Sequence, residues 1–180
     1  MSTVGVAGTF QDLLAIAQPA DYLFFWNHDP IAYAIEELTS GPSHVIQLAK
    51  LKPSMQMYEF EAVFPNGCRL LPLSHYAASK SRMLLCRRKG ITDADVLIAT
   101  ASALRTLGRH YNWPEEVRIA LHDIFPFIPI GASTNTLYCS GYLQLNFSGT
   151  SVPFASMPNE NDTPEFEMKD AGTEHVLWVN

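Results

Sequence analysis

The chain is predicted to be an α+β domain with an antiparallel sheet packed against helices. Two strand-like runs, His44 to Leu51 and Met57 to Phe64, are separated only by residues 52–56, with a turn near Lys52-Pro53-Ser54. So short a link suits antiparallel neighbours and is too short for a parallel crossover. A capped helical stretch follows, in which Thr92-Asp93-Ala94-Asp95 opens a helix to Leu107 and Gly108 stops it. At 180 residues, 47% apolar and 17% charged, the chain is long enough to bury one core without disulfides or metals.

The elements read in order. Thr9 to Ala17 is a short helix ending before Pro19, and Asp21 to Trp26 is a buried aromatic strand. Asn27-His28-Asp29-Pro30 opens a helix over Ile31 to Leu38, with Asp29 as cap and Pro30 in its first turn. After the two central strands, Pro65-Asn66-Gly67 is a turn and Arg82 to Arg88 a further strand. Trp113-Pro114-Glu115-Glu116 starts another helix, its acids at the positive end of the dipole. Phe125 to Ile130 is an apolar connector, Gly131 to Asn135 a loop, and Thr136 to Phe147 a largely buried helix. Residues 1–150 therefore form the main domain. Residues 151–180 read as an irregular acidic segment packing on or near it, with Val176 to Val179 docking back.

Charge and cysteine usage exclude several functions. A formal net charge of −6 argues against nucleic acid or an anionic membrane as the main partner. The basic cluster of Arg82, Arg87, Arg88 and Lys89 reads as a solvated strand edge. Cys68, Cys86 and Cys139 form no C-x-x-C pair, and their odd number rules against a disulfide framework. No segment has a signal-peptide pattern or membrane-span length, so cytoplasmic synthesis is the default, with delivery by a non-Sec route leaving no mark. His75, His110, His122 and His175 lack metal-ligand spacing; no metal or other cofactor is expected. An immunity or delivery partner cannot be read from the residues.

Two residues carry chemistry. A nucleophilic cysteine must react as thiolate, and a helix N-terminus together with a nearby imidazole lowers its pKa from about 8.5. Cys139 lies between a Gly/Ser/Thr/Asn-rich loop and an apolar helical run, where that helix would begin near Thr136. His44 opens a strand and shares its face with Ile46 and Leu48. Both also have ordinary readings, a buried structural thiol and a core histidine. A third group should orient the imidazole. Glu59 and Glu61 share one face of the next strand, and a turn centred near Lys52-Pro53 sets Glu61 opposite His44. A two-residue slip brings Glu59 or Val63 there instead, and of the two acids Glu59 is the better candidate for simply facing water.

The order histidine-then-cysteine reverses papain. With it come Asp21-Tyr22-Leu23-Phe24-Phe25 leading to His28-Asp29-Pro30-Ile31, then Ser43-His44-Val45, Glu61-Ala62, Pro72-Leu73, Gly108-Arg109-His110-Tyr111 and Tyr138-Cys139-Ser140. In this order and spacing, across roughly residues 20 to 147, the motifs resemble the permuted papain-like amidases of the YaeF/YiiX group, relatives of the NlpC-type cell-wall peptidases. The resemblance implies a circularly permuted papain-like fold. It makes Cys139 the nucleophile at a helix N-terminus, His44 the general base and acid, and Glu61 the group orienting it. The Cys139 backbone N–H is the implied oxyanion donor, and Tyr22 a candidate second donor. Tyr22, His28, Tyr138 and Ser140 are the candidates for substrate contact. Two departures, Gly141 where the family has an acid and Ile46-Gln47 where it has a small residue, bear on substrate and subfamily.

The implied activity is hydrolysis of an amide through a thioester acyl-enzyme, in a bacterial cell-wall peptide or a related small peptide. The same triad serves lipid acyl hydrolases, acyltransferases and thioesterases, for which a wide apolar groove beside Cys139 would speak. A third reading is an idle binding module of a phage or secretion particle.

Overall fold

A computed structural model of the chain describes residues 6–26, 36, 41–111, 138–155 and 164–179. The strands are β1 (Val6–Gly8), β2 (Tyr22–Trp26), β3 (His44–Lys50), β4 (Met57–Val63), β5 (Gly67–Pro72), β6 (Arg82–Arg88) and β7 (Thr173–Val179). The helices are α1 (Phe10–Ile16), α2 (Asp93–Thr106), α3 (Cys139–Phe147) and α4 (Pro164–Lys169), with a 3₁₀ turn at Leu73–Tyr76. All seven strands join one sheet in the order β1-β7-β6-β2-β3-β4-β5. Every pairing is antiparallel except β1 with β7. The α+β expectation is met.

Both faces of the sheet are covered, which is why β2, β3 and β6 read as nearly continuous apolar runs. On one face Leu13 of α1 packs in a cluster with Leu23, Phe25, Ile46, Leu48, Met83 and Leu177. On the other, Tyr22, Phe24, Val45, Leu84 and Cys86 form a cluster with Ala99 of α2 and Cys139, Leu143 and Phe147 of α3. The side chains of β2 and β3 thus divide by parity between the two layers.

Local chemistry sets the boundaries. Thr9 and Asp12 form a capping box at α1, and Thr92 and Asp95 form another at α2. The Asp95 carboxylate also accepts from Ser151 N at 2.6 Å and Ser151 Oγ at 2.8 Å, fastening the chain after α3 to the start of α2. At Gly67, φ is +74°, and a Cβ would stand 2.1 Å from the Arg109 carbonyl oxygen. That carbonyl accepts from Cys68 N at 2.8 Å, so the loop after α2 can lie against β5 only because Gly67 has no side chain.

In the C-terminal segment the expected docking of Val176 to Val179 is seen, but the segment is not irregular throughout. α4 and β7 are regular, and β7 lies inside the sheet between β1 and β6. Its alternation is interrupted by a register shift opposite Leu85/Cys86, which hides the strand from a period-of-two reading. β5, which follows the turn at Gly67, went unpredicted. The helices expected over residues 31–38 and from Trp113, and the connector at residues 125–130, fall outside the described residues.

Candidate functional site

His44 is the first residue of β3, and antiparallel pairing sets it beside Phe25 of β2. The two rings are 6.0 Å apart. Its strand parity turns the imidazole to the α1 face, as the alternation with Ile46 and Leu48 predicts. The β3–β4 register differs from a turn centred at Lys52-Pro53: Gln47 pairs with Phe60 and Leu48 with Glu59. Continued by one residue, that register sets Ile46 beside Glu61, so His44 reaches Glu61 diagonally. The contact forms nonetheless, with His44 Nε2 3.1 Å from Glu61 Oε2.

Glu61 is fully buried and receives two further bonds. Arg69 Nε donates to Oε1 at 2.6 Å, and the Tyr76 hydroxyl donates to Oε2 at 3.0 Å. Burial by itself would raise this carboxyl, but the hydrogen bonds and charges of His44 and Arg69 outweigh it and hold the pKa at about 2. Glu61 is therefore an acceptor at all ordinary pH values. It follows that Nε2 of His44 carries the proton and Nδ1 is the nitrogen left to act as base.

Glu59 was expected to face water; it is buried instead, and among the described residues neither carboxyl oxygen has a hydrogen-bond partner. Burial first, and the nearby charge of Glu61 second, push its pKa up to about 9. Between its ordinary value of 4.5 and about 9, the unfolded chain has released a proton that the folded chain keeps. Stability therefore falls as pH rises through that window. Glu59→Gln should remove the slope: the variant matches the parent near pH 4.5 and gains on it, on the order of 1 kcal/mol per pH unit, toward pH 9. Urea unfolding at several pH values checks this; parallel pH profiles would contradict it.

Cys139 is the first residue of α3, with Tyr138 as its N-cap, so the thiol stands on the helix's first turn. This is three residues later than the expected start near Thr136. Farther along α3, Asn146 Nδ2 donates to Gln47 Oε1 at 2.8 Å, and the Phe147 and Tyr22 rings are 6.0 Å apart. Cys139 packs in the cluster that holds Phe24 and Val45. His44 alternates with Ile46 and Leu48 of the other cluster, so thiol and imidazole belong to opposite faces of the sheet.

The other sequence candidates divide. Tyr22 is a core residue: its ring is fully buried among Phe24, Phe147 and Phe154, and its hydroxyl pairs with Thr173 Oγ1 at 2.7 Å. That corrects its assignment as a second oxyanion donor or a substrate contact. Ser140 is 1% exposed and presents almost no surface to a substrate. Tyr138 is half-buried, and its ring lies over Gly141, where a Cβ would come 2.9 Å from Tyr138 Cζ. Gly141 thus leaves room for an aromatic ring on the first turn of α3. His28 lies outside the described residues. Arg69 and Tyr76 carry no local sequence signal: they stand on β5 and on the 3₁₀ turn, elements the residue pattern does not predict.

No family model matches the chain, and no curated protein matches it in sequence. Among solved structures it is similar to the metalloprotein YiiX from Escherichia coli O157:H7, with a TM-score of 0.65 and 17% identity, over 88% of this chain and 96% of that one. At that identity the likeness concerns the fold. Among the described residues no group of three or more His, Cys, Asp or Glu side chains is placed to hold a metal ion. In the His44–Glu61 cluster the Arg69 guanidinium takes the place beside the carboxylate that a cation would need. The residues described here therefore do not fit a metal centre. Among the described residues no helix is long and apolar enough to cross a membrane.

Proposed function

We propose that the chain is a cysteine hydrolase of the amidase or peptidase type, with a permuted papain-like fold and Cys139, His44 and Glu61 as its triad. The observations that support this are the His44–Glu61 hydrogen bond and the place of Cys139 on the first turn of α3. The fold likeness to YiiX supports it, since the sequence motifs lead to the same group.

The chemistry follows from these groups. His44 Nδ1 takes the Cys139 proton, and the thiolate attacks the amide carbonyl carbon. The developing oxyanion is held by the Cys139 backbone N–H at the helix start. The imidazolium, paired with Glu61, then protonates the leaving amine as the carbon–nitrogen bond breaks, leaving a thioester. Water, deprotonated by the same imidazole, attacks the thioester and returns Cys139 as the thiol. A bacterial cell-wall peptide or related small peptide is the proposed substrate.

Incubation with a panel of muropeptides, and separately with acyl thioesters, tests this reading. Release of a new amine from the peptide, with a Cys139 acyl adduct seen by mass spectrometry, is the expected result. Cleavage of acyl thioesters alone would turn the assignment to a thioesterase, and no adduct with either would leave a binding module.

A further inference from the structure

We infer that Arg69 and Tyr76 are positioning residues that hold Glu61 as a fixed carboxylate behind His44; this rests on the triad proposed above and deepens it. Glu61 carries its role only as an anion, because a neutral acid offers the imidazolium no counter-charge. Its surroundings work against that. It is fully buried, in the sheet between β3 and β5. Burial of an unpaired carboxylate drives it to its neutral form.

Three elements supply the opposing groups. Arg69 of β5 is the cross-strand partner of Glu61 and donates to Oε1 at 2.6 Å. Its side chain is 31% exposed, so one end remains hydrated while Nε serves the carboxylate. Tyr76 of the 3₁₀ turn donates to Oε2 at 3.0 Å. Its ring is 4.5 Å from Phe25, which is the neighbour of His44, so the hydroxyl is held in place by packing. Tyr76 cannot readily ionise: burial first, and the charges of Glu61 and Glu59 next, raise its pKa well above the usual range, so it stays a donor. Oε1 is thereby occupied by Arg69, and Oε2 is shared by Tyr76 and His44 Nε2. The carboxylate has one orientation in which all three bonds form.

The test is a ¹³C NMR titration of the Glu61 carboxyl in the full chain, alongside the acid limb of the Cys139 alkylation rate. In the parent, Glu61 should remain ionised down to about pH 2. In Arg69→Gln its midpoint should rise by at least about one unit, a tenfold gain in proton affinity. Arg69→Lys should recover most of that, and Tyr76→Phe should give a smaller rise. The acid limb of labelling should move up with the carboxyl. An unmoved Glu61 midpoint in folded Arg69→Gln would overturn the proposal; if that variant does not fold, an unmoved midpoint in Tyr76→Phe would do so. Labelling indifferent to His44, with the Glu61 midpoint still moving, would instead sink the hydrolase reading alone.

Discussion

Replacing Cys139 with alanine is expected to abolish the proposed peptide hydrolysis, lowering kcat/KM by at least about 10³-fold, as loss of a covalent nucleophile does. Neither of the other thiols can substitute. Burial pushes Cys68 up to about 11 and raises Cys86 well above the ordinary thiol value, so both stay protonated at neutral pH. Cys68 lies on β5 and Cys86 on β6, each in the core and not on a helix start. Cys139→Ser should fail nearly as completely, because a hydroxyl is far harder to deprotonate than a thiol. Turnover of the peptide by either variant at a tenth of the parent rate or better would show that another group does the chemistry.

The second large effect concerns stability. Arg88 is 5% exposed, and its guanidinium bridges the chain after α3 to the approach to β7. Nη1 donates to Asp170 at 2.5 Å, Nε to the Val152 carbonyl at 3.0 Å and Nη2 to the Pro153 carbonyl at 2.6 Å. The group also stacks 4.4 Å from the Phe154 ring. Arg88→Met keeps the stem but leaves Asp170 as a buried charge without its counter-ion, and two carbonyls without that donor. Breaking such a pair from one side costs about 3–5 kcal/mol. Urea unfolding should show a loss of that size, and a loss below about 1 kcal/mol would mean the segment is held by its apolar contacts alone.

Arg88 also shows where sequence reading fails. Basic residues at both ends of one strand suggest a solvated edge, yet Arg87 binds Asp21 through Nε and Nη2, and Arg88 is buried. Their partners are 66 and 82 residues away in the chain, so no local pattern reveals them. By contrast, the parts of the site that depend on local rules were legible. Parity set Glu59 and Glu61 on the same face as His44, and the limits of β6 came from its apolar run between basic residues. What parity could not supply was the two-residue register offset between β3 and β4, or the burial of Glu59 beneath neighbours on β3 and β5. The C-terminal strand was obscured for a related reason, since its bulge breaks the alternation that identifies a strand.

The proposed hydrolase function requires His44 and Cys139 to act as a pair. The measurement that tests it most directly is the pH dependence of iodoacetamide labelling, with the modified cysteine located by mass spectrometry, in the parent and in His44→Ala. Rapid labelling of Cys139 between about pH 6 and 7, falling at least about tenfold in His44→Ala, is the predicted result. Slow labelling of Cys139 in the parent, or the same rate in both proteins, would contradict it.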